Sequence, residues 1–203
     1  MKLYFSPGAC SLASHIALLE GGLSFAAERV DLRAGKTASD ADYNAINPKG
    51  YVPALTLDDG QLLTENVALL QYIADQAPEA RLAPANGTME RFRLVEWLAF
   101  ISTEVHKTFS PLFNPAQPDA AKDIARQNLA RRFAFLDAAL ANRSFLTGNQ
   151  FTVADSYLFT VLNWTVPCKL DLTPWPNLQA FHARVAARPA VRAAMVAEGL
   201  IKG

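Results

Sequence analysis

The rhythm of apolar and polar positions changes partway along the chain. Over the first eighty residues, short apolar runs of strand length alternate with helical periodicity. Lys2 to Phe5 reads as a strand, Ser11 to Glu20 as a helix and Ala26 to Asp31 as a second strand. Tyr51 to Asn66 then holds a proline-led strand, a tight turn, another strand and a helix start. Val67, Leu70, Ile73, Ala74 and Ala77 continue at helical spacing. After Thr88 the pattern is helical, with Leu94, Trp97, Leu98, Ile101 and Val105 in one segment and Leu129, Phe133, Leu136 and Leu140 in another.

The early order is βα, β, ββα. A strand, a crossover helix and a second strand make a right-handed parallel unit, which the hairpin extends antiparallel. The predicted fold class is therefore an α/β N-terminal domain of thioredoxin-like type followed by an all-α C-terminal domain. Two prolines and a glycine between Pro78 and Gly87 end the first helical run. The expected boundaries are residues 1–78 for the mixed domain, 79–87 for the linker and 88–203 for the helical domain.

The hairpin carries a specific chemical implication. Proline has no N–H to pair, so Val52, just before Pro53, must find hydrogen-bond partners elsewhere. Asp59-Gly60 is a two-residue turn signal, and Thr64-Glu65-Asn66 offers capping side chains where the next helix begins. Helix N-termini attract carboxylates. An unpaired strand edge beside a helix tip predicts a pocket for something peptide-like and acidic.

Composition narrows the classes. The 203 residues are 51% hydrophobic, enough for a real core, and 19 basic against 19 acidic residues leave no net charge. Such a balance offers no footprint for nucleic acid or an anionic membrane. Proline breaks the opening run too early for a signal-peptide core, and Ser156 to Cys168 is too short to span a bilayer, so a cytoplasmic location is expected. Cys10 and Cys168 lie far apart, and His15, His106 and His182 do not cluster with them, so neither a metal site nor a disulfide framework is expected.

Four groups of residues could carry chemistry. Cys10 falls between the first strand and first helix, where a helix dipole stabilises a thiolate; the alternative is a small buried apolar side chain. No second cysteine stands at Cys-x-x-Cys spacing, so redox work at Cys10 would need an external thiol. His106 shares a helical stripe with Ala99 and Thr103 and adjoins Lys107, as a donor or proton carrier or as a plain helical histidine. Phe109, Phe113, Tyr157 and Trp164 are either an apolar pocket or core. Thr152-Val153-Ala154-Asp155 has the spacing of a capping box, which gives Asp155 a structural task.

Taken together, Ser6-Pro7-Gly8-Ala9-Cys10-Ser11, Val52-Pro53, Leu63-Thr64-Glu65, His106-Lys107-x-x-Ser110-Pro111-Leu112-Phe113, Phe151-Thr152-Val153-Ala154-Asp155 and the closing Glu198-Gly199-Leu200-Ile201-Lys202 resemble bacterial glutathione S-transferases of the beta class. The resemblance runs nearly end to end. It implies a cytosolic homodimer that uses glutathione as co-substrate, holds no tightly bound cofactor or metal, and conjugates the glutathione thiolate to small hydrophobic electrophiles.

The resemblance also implies roles. Cys10 and His106 would be catalytic, facing the glutathione sulfur. Ala9, Cys10, Lys36, Val52, Pro53, Glu65, Asn66, Thr103, Glu104, His106 and Lys107 would bind glutathione. Within that set Pro53 would be cis and Val52 would pair with the cysteinyl backbone. Glu65 would meet the γ-glutamyl ammonium, and the N–H and side chain of Asn66 its α-carboxylate. Lys36 and Lys107 would face the glycyl carboxylate, and Glu104 would reach the glutathione of a partner subunit. Phe109, Phe113, Tyr157 and Trp164 would form the electrophile site. Departures from the family pattern are Asn66 and Ala99, where a small residue and an Asn are usual, and Thr103 for a common Ser. Two alternatives remain: a glutathione-dependent thiol-disulfide oxidoreductase or peroxidase acting through Cys10, and a non-catalytic glutathione-binding module.

Overall fold

The computed structural model describes all residues 1–203, and the chain divides into two compact units, Met1–Ala83 with Arg188–Gly203, and Pro84–Ala187. In the first unit the strands are β1 (Lys2–Phe5), β2 (Ala26–Asp31), β3 (Lys36–Thr37), β4 (Ala54–Thr56) and β5 (Leu62–Thr64), in the sheet order β3-β2-β1-β4-β5. β1 and β2 are parallel, joined by α1 (Ser11–Glu20), and the other pairs are antiparallel. The predicted βα, β, ββα order is present. It also contains two elements too short to announce themselves, β3 and the one-turn helix α2 (Tyr43–Ile46).

Leu3, Phe5, Leu55, Leu12, Ile16, Leu69, Leu70 and Ile73 are buried between the sheet and the helices α1 and α3 (Asn66–Gln76). The connection after β4 is longer than the two residues expected from Asp59-Gly60. It runs over residues 57 to 61, closed by Leu57 N–H to the Gln61 carbonyl at 2.8 Å, with Gly60 at φ +85°.

The closing segment does not stay with the helical unit, as the expected 88–203 assignment had it. Its helix α9 (Pro189–Ala197) packs on α1 and buries Val191 and Ala194. Arg188 grips the Glu20 carboxylate through Nε at 2.6 Å and Nη2 at 2.8 Å. Beyond the helix, buried Glu198 accepts the Gly8 N–H at 2.9 Å and meets His15 Nδ1 at 3.0 Å.

The second unit consists of α4 (Met89–Phe100), α5 (Ser110–Phe113), α6 (Asp119–Leu140), α7 (Val153–Leu162) and α8 (Pro176–Ala186). Leu94, Leu98, Ile101 and Val105 are fully buried, as their spacing predicts, whereas Trp97 is only half-buried. Every residue of α7 is buried. The capping expectation for this helix is met: Asp155 accepts the Thr152 N–H at 2.7 Å and the Leu146 N–H at 2.9 Å. No helix is long and apolar enough to cross a membrane.

The expected continuous helix through His106 is not one. Ile101–His106 forms a π-helical turn, followed by a 3₁₀ turn at Lys107–Phe109. Two hydroxyls bond back to carbonyls four residues earlier, Thr103 to Ala99 at 3.1 Å and Thr108 to Glu104 at 2.7 Å. Such back-bonds compete with the backbone ladder and loosen it. Pro111 then removes a donor one turn later.

Candidate functional site

The first unit builds its candidate site around Val52. That residue precedes β4, outside the last sheet pair Tyr4↔Ala54, and the Val52–Pro53 peptide is cis. The preceding carbonyl, of Tyr51, is held by Asn47 Nδ2 at 2.7 Å and the Tyr43 hydroxyl at 3.0 Å. Both holders are buried, and burial pushes the Tyr43 phenol pKa up. Neither was singled out in the sequence, because an Asn and a Tyr in an irregular stretch carry no motif.

Cys10 is the N-cap residue of α1, as its position after the first strand suggests. Its Sγ donates to the Val52 carbonyl at 3.1 Å, so the candidate nucleophile and the candidate ligand-pairing backbone touch. Ala9 packs beside Tyr4, Tyr43 and Val52. The loop before Cys10 is fastened twice. Ser11 Oγ closes on the Ser6 N–H at 3.2 Å, and Gly8, at φ +71° where a side chain is disfavoured, gives its N–H to Glu198.

At the start of α3 the structure corrects two expectations. The residues Thr64-Glu65-Asn66 supply no side-chain cap: Glu65 is the N-cap residue, with φ +69° and no capping bond from its carboxylate. A non-glycine residue in that region is strained, and such strain concentrates at functional sites. The half-exposed Glu65 carboxylate instead takes Lys49 Nζ at 2.7 Å and the Tyr51 hydroxyl at 2.5 Å. These bonds raise the pKa of both donors. The Asn66 side chain, expected to meet a ligand carboxylate, is buried and bridges α1 and α3. Its Oδ1 accepts from Ser14 Oγ at 2.8 Å and its Nδ2 donates to the Cys10 carbonyl at 2.7 Å. Only its backbone remains for the anticipated role. Lys36, exposed on β3, donates to the Asp40 carbonyl at 3.1 Å.

The second unit builds around His106, which ends the π-helical turn. Its Nδ1 lies 2.7 Å from the Tyr157 hydroxyl, and its ring packs edge-on to Trp164 at 4.7 Å. Burial, and then the charge of neighbouring Lys107, depress its pKa to about 4, so the imidazole is neutral at physiological pH. The four aromatic residues divide. Phe113 is half-exposed and Trp164, 8% exposed, meets it edge-on at 5.4 Å. Phe109 is 0% exposed, so it is core beneath that surface and not pocket lining. Tyr157 is buried as well, and its distinctive contribution is the hydroxyl on His106. Val166, two residues after Trp164, is 79% exposed. Thr103 is tied to the backbone of Ala99, and Glu104 pairs with Arg132. A separate pocket of about 260 Å³ between α4 and α6 is lined by Trp97, Phe100 and Phe135 with Arg93, Glu96 and Arg143, away from His106. No three His, Cys, Asp or Glu side chains gather to hold a metal ion.

Residues 8–76 match the model of the glutathione S-transferase N-terminal domain and residues 100–189 that of the C-terminal domain. The chain is 47% identical over 200 residues to the glutathione S-transferase GstA of Escherichia coli O157:H7, covering 98% of this chain and 100% of that protein. A sphingomonad glutathione S-transferase solved in complex with glutathione superposes with a TM-score of 0.96 at 51% identity, over 99% of this chain and all of that one. A bacterial beta-class enzyme from Sphingomonas chungbukensis gives 0.96 at 50% identity over the same shares. From Cys10 and the cis Val52–Pro53 bond to the capped α7, the chain belongs to the glutathione S-transferase family and is of its bacterial beta class.

Proposed function

We propose that this glutathione S-transferase binds glutathione chiefly on its first unit and joins the glutathione sulfur to small hydrophobic electrophiles. The observation that carries the reading is the cluster at Val52: a strand edge next to a cis proline, touched by Cys10 and held by Tyr43 and Asn47. The cysteinyl backbone of glutathione pairs with Val52 as an added strand. Glu65 exchanges Lys49 for the γ-glutamyl ammonium, and the N–H groups at the start of α3 receive the α-carboxylate. Lys36 and Lys107 serve the glycyl carboxylate, Thr103 adds a polar contact, and Glu104 reaches the glutathione of a partner subunit. In the reaction the thiol loses its proton to solvent, the thiolate forms a bond to electrophilic carbon, and the leaving group departs with the electron pair. His106, neutral, acts as an N–H donor to developing negative charge, and Phe113 and Trp164 receive the apolar body of the electrophile.

The working form is a cytoplasmic homodimer, a reading that rests on the family resemblance and is checked by sedimentation. Titration calorimetry with glutathione, paired with turnover of chlorodinitrobenzene, tests the whole proposal: binding and conjugation are expected, and failure of both overturns it. A second reading, redox chemistry at Cys10, is favoured by the half-exposed thiol on the ligand-pairing carbonyl. There the Cys10 thiolate attacks oxidised glutathione, one S–S bond forms as another breaks, and reduced glutathione leaves. Mass spectrometry after incubation with oxidised glutathione decides it, since absence of an adduct on Cys10 excludes that route.

A further inference from the structure

His106 and Tyr157 come from distant stretches of the helical unit, one ending a π-helical turn and the other in the middle of α7. Their contact allows two proton arrangements: the ring N–H donates to the phenol oxygen, or the phenol O–H donates to a bare Nδ1. The 2.7 Å contact fits either arrangement. Acid–base strength separates them: a phenol O–H is a far stronger acid than the N–H of a neutral imidazole, and a neutral imidazole nitrogen is a better acceptor than a phenol oxygen.

We infer that Tyr157 is a positioning residue for the transfer reaction: its hydroxyl donates to Nδ1 of His106 and so confines the ring's single proton to Nε2. This rests on the reading of His106 as a donor in catalysis. A neutral histidine with Nε2–H has no lone pair on that nitrogen, so it cannot take a proton there and can only stabilise negative charge. The orientation is held by packing as well as by the bond. Trp164 lies edge-on to the imidazole at 73°, the Tyr157 ring meets it at 87°, and Tyr157 itself is 1% exposed, with no room to change rotamer. The depressed pKa of His106 supports the same picture, since a ring that stays neutral keeps a tautomer to select. The second nitrogen of a functional histidine is commonly fixed by a backbone carbonyl or a carboxylate, which accept from Nδ1–H and place the free lone pair on Nε2. A tyrosine donor reverses that polarity. It makes His106 a donor where a carboxylate partner would make it a base.

The test reads the tautomer directly. Long-range proton–nitrogen correlation spectra of the ¹⁵N-labelled protein at neutral pH contain only three histidines, and His106→Gln assigns the signal. The expected spectrum shows His106 protonated on Nε2 and bare on Nδ1, and Tyr157→Phe converts it to a mixture of tautomers. Tyr157→Phe is also expected to lower kcat with glutathione and chlorodinitrobenzene about fivefold at nearly unchanged KM for glutathione. In a His106→Gln background the same substitution is expected to add nothing. An Nδ1–H tautomer in the wild type, an unchanged tautomer in Tyr157→Phe, or full additivity with His106→Gln overturns the inference. Should Tyr157→Phe not fold, the wild-type spectrum alone still decides. If His106→Gln keeps wild-type kcat, the donor reading of His106 falls and the inference with it. If His106→Gln loses activity but the wild-type tautomer is Nδ1–H, the inference falls alone.

Discussion

At the scale of single residues, the two neighbours at the start of α3 have opposite fates. Glu65 keeps an exposed carboxylate held in strained backbone, and Asn66 turns inward to join α1 and α3. Glu65→Gln removes a charge-assisted bond to a ligand ammonium, so glutathione affinity measured by calorimetry is expected to fall about tenfold or more with little loss of stability. Asn66→Ala should do the reverse, leaving buried Ser14 Oγ and the Cys10 carbonyl without their partner. A loss of about 2 kcal/mol in urea unfolding is expected, larger than any change in affinity. His106 adds a pH dependence. Its pKa is about 4 in the folded chain and near ~6.5 when unfolded, so the unfolded state binds the extra proton first on acidification. Its contribution to stability is therefore full above pH ~6.5 and is lost as pH falls toward about 4, a slope that His106→Gln should flatten in urea titrations. The residue types at these places were legible as chemistry: a cysteine at a helix start, a valine before a proline, an acid at a helix tip. Their orientation was not. Whether Asn66 or Phe109 faces a ligand or the core depends on which helix lies opposite, and that information is held in residues such as Ser14 and Phe133, far away in the chain.

At the scale of elements, the sequence is most readable where local chemistry closes on itself. The Thr152-x-x-Asp155 spacing announces the start of α7 because cap and acid lie one turn apart and bond to each other's backbone region. The reach of Asp155 to the Leu146 N–H is a second, non-local bond that spacing does not reveal. Asp155→Ala removes three hydrogen bonds around one buried carboxylate, and a loss of about 2–4 kcal/mol is expected in denaturant unfolding, with the helical content of α7 falling first in hydrogen exchange. The π-helical turn at Ile101–His106 lies at the other extreme. Its apolar positions have ordinary α spacing, so a hydrophobic pattern does not reveal it; the threonine hydroxyls that bond back to carbonyls within and just after the turn accompany it. The extra residue in that turn shifts where Glu104 and His106 emerge, so the stripe drawn through Ala99, Thr103 and His106 describes a regular helix that the chain does not form.

At the scale of the whole molecule, the chain passes through the helical unit and returns to the first, and this return escaped the pattern because α9 is a generic amphipathic helix able to pack on any apolar face. What assigns it is a set of polar contacts: Arg188 on Glu20, and Glu198 on both His15 and the Gly8 N–H. Glu198 matters most, since its carboxylate is buried and the loop it grips ends at Cys10. Glu198→Ala removes the buried carboxylate that the Gly8 N–H and the His15 imidazole share, which costs about 2–3 kcal/mol. That cost falls on the first unit. Hydrogen exchange followed by mass spectrometry is expected to show faster exchange in the Gly8 loop, α1 and α9, with α7 at wild-type protection, because local openings follow the contacts that were removed. Uniform loss of protection across both units would show instead that the carboxylate stabilises the molecule globally, and no change would show that the return segment is held by Val191, Ala194 and the Arg188 fork alone. In the expected case alkylation of Cys10 by iodoacetamide should also lose its single rate and become heterogeneous, since the loop that sets the thiol against the Val52 carbonyl would sample more than one position.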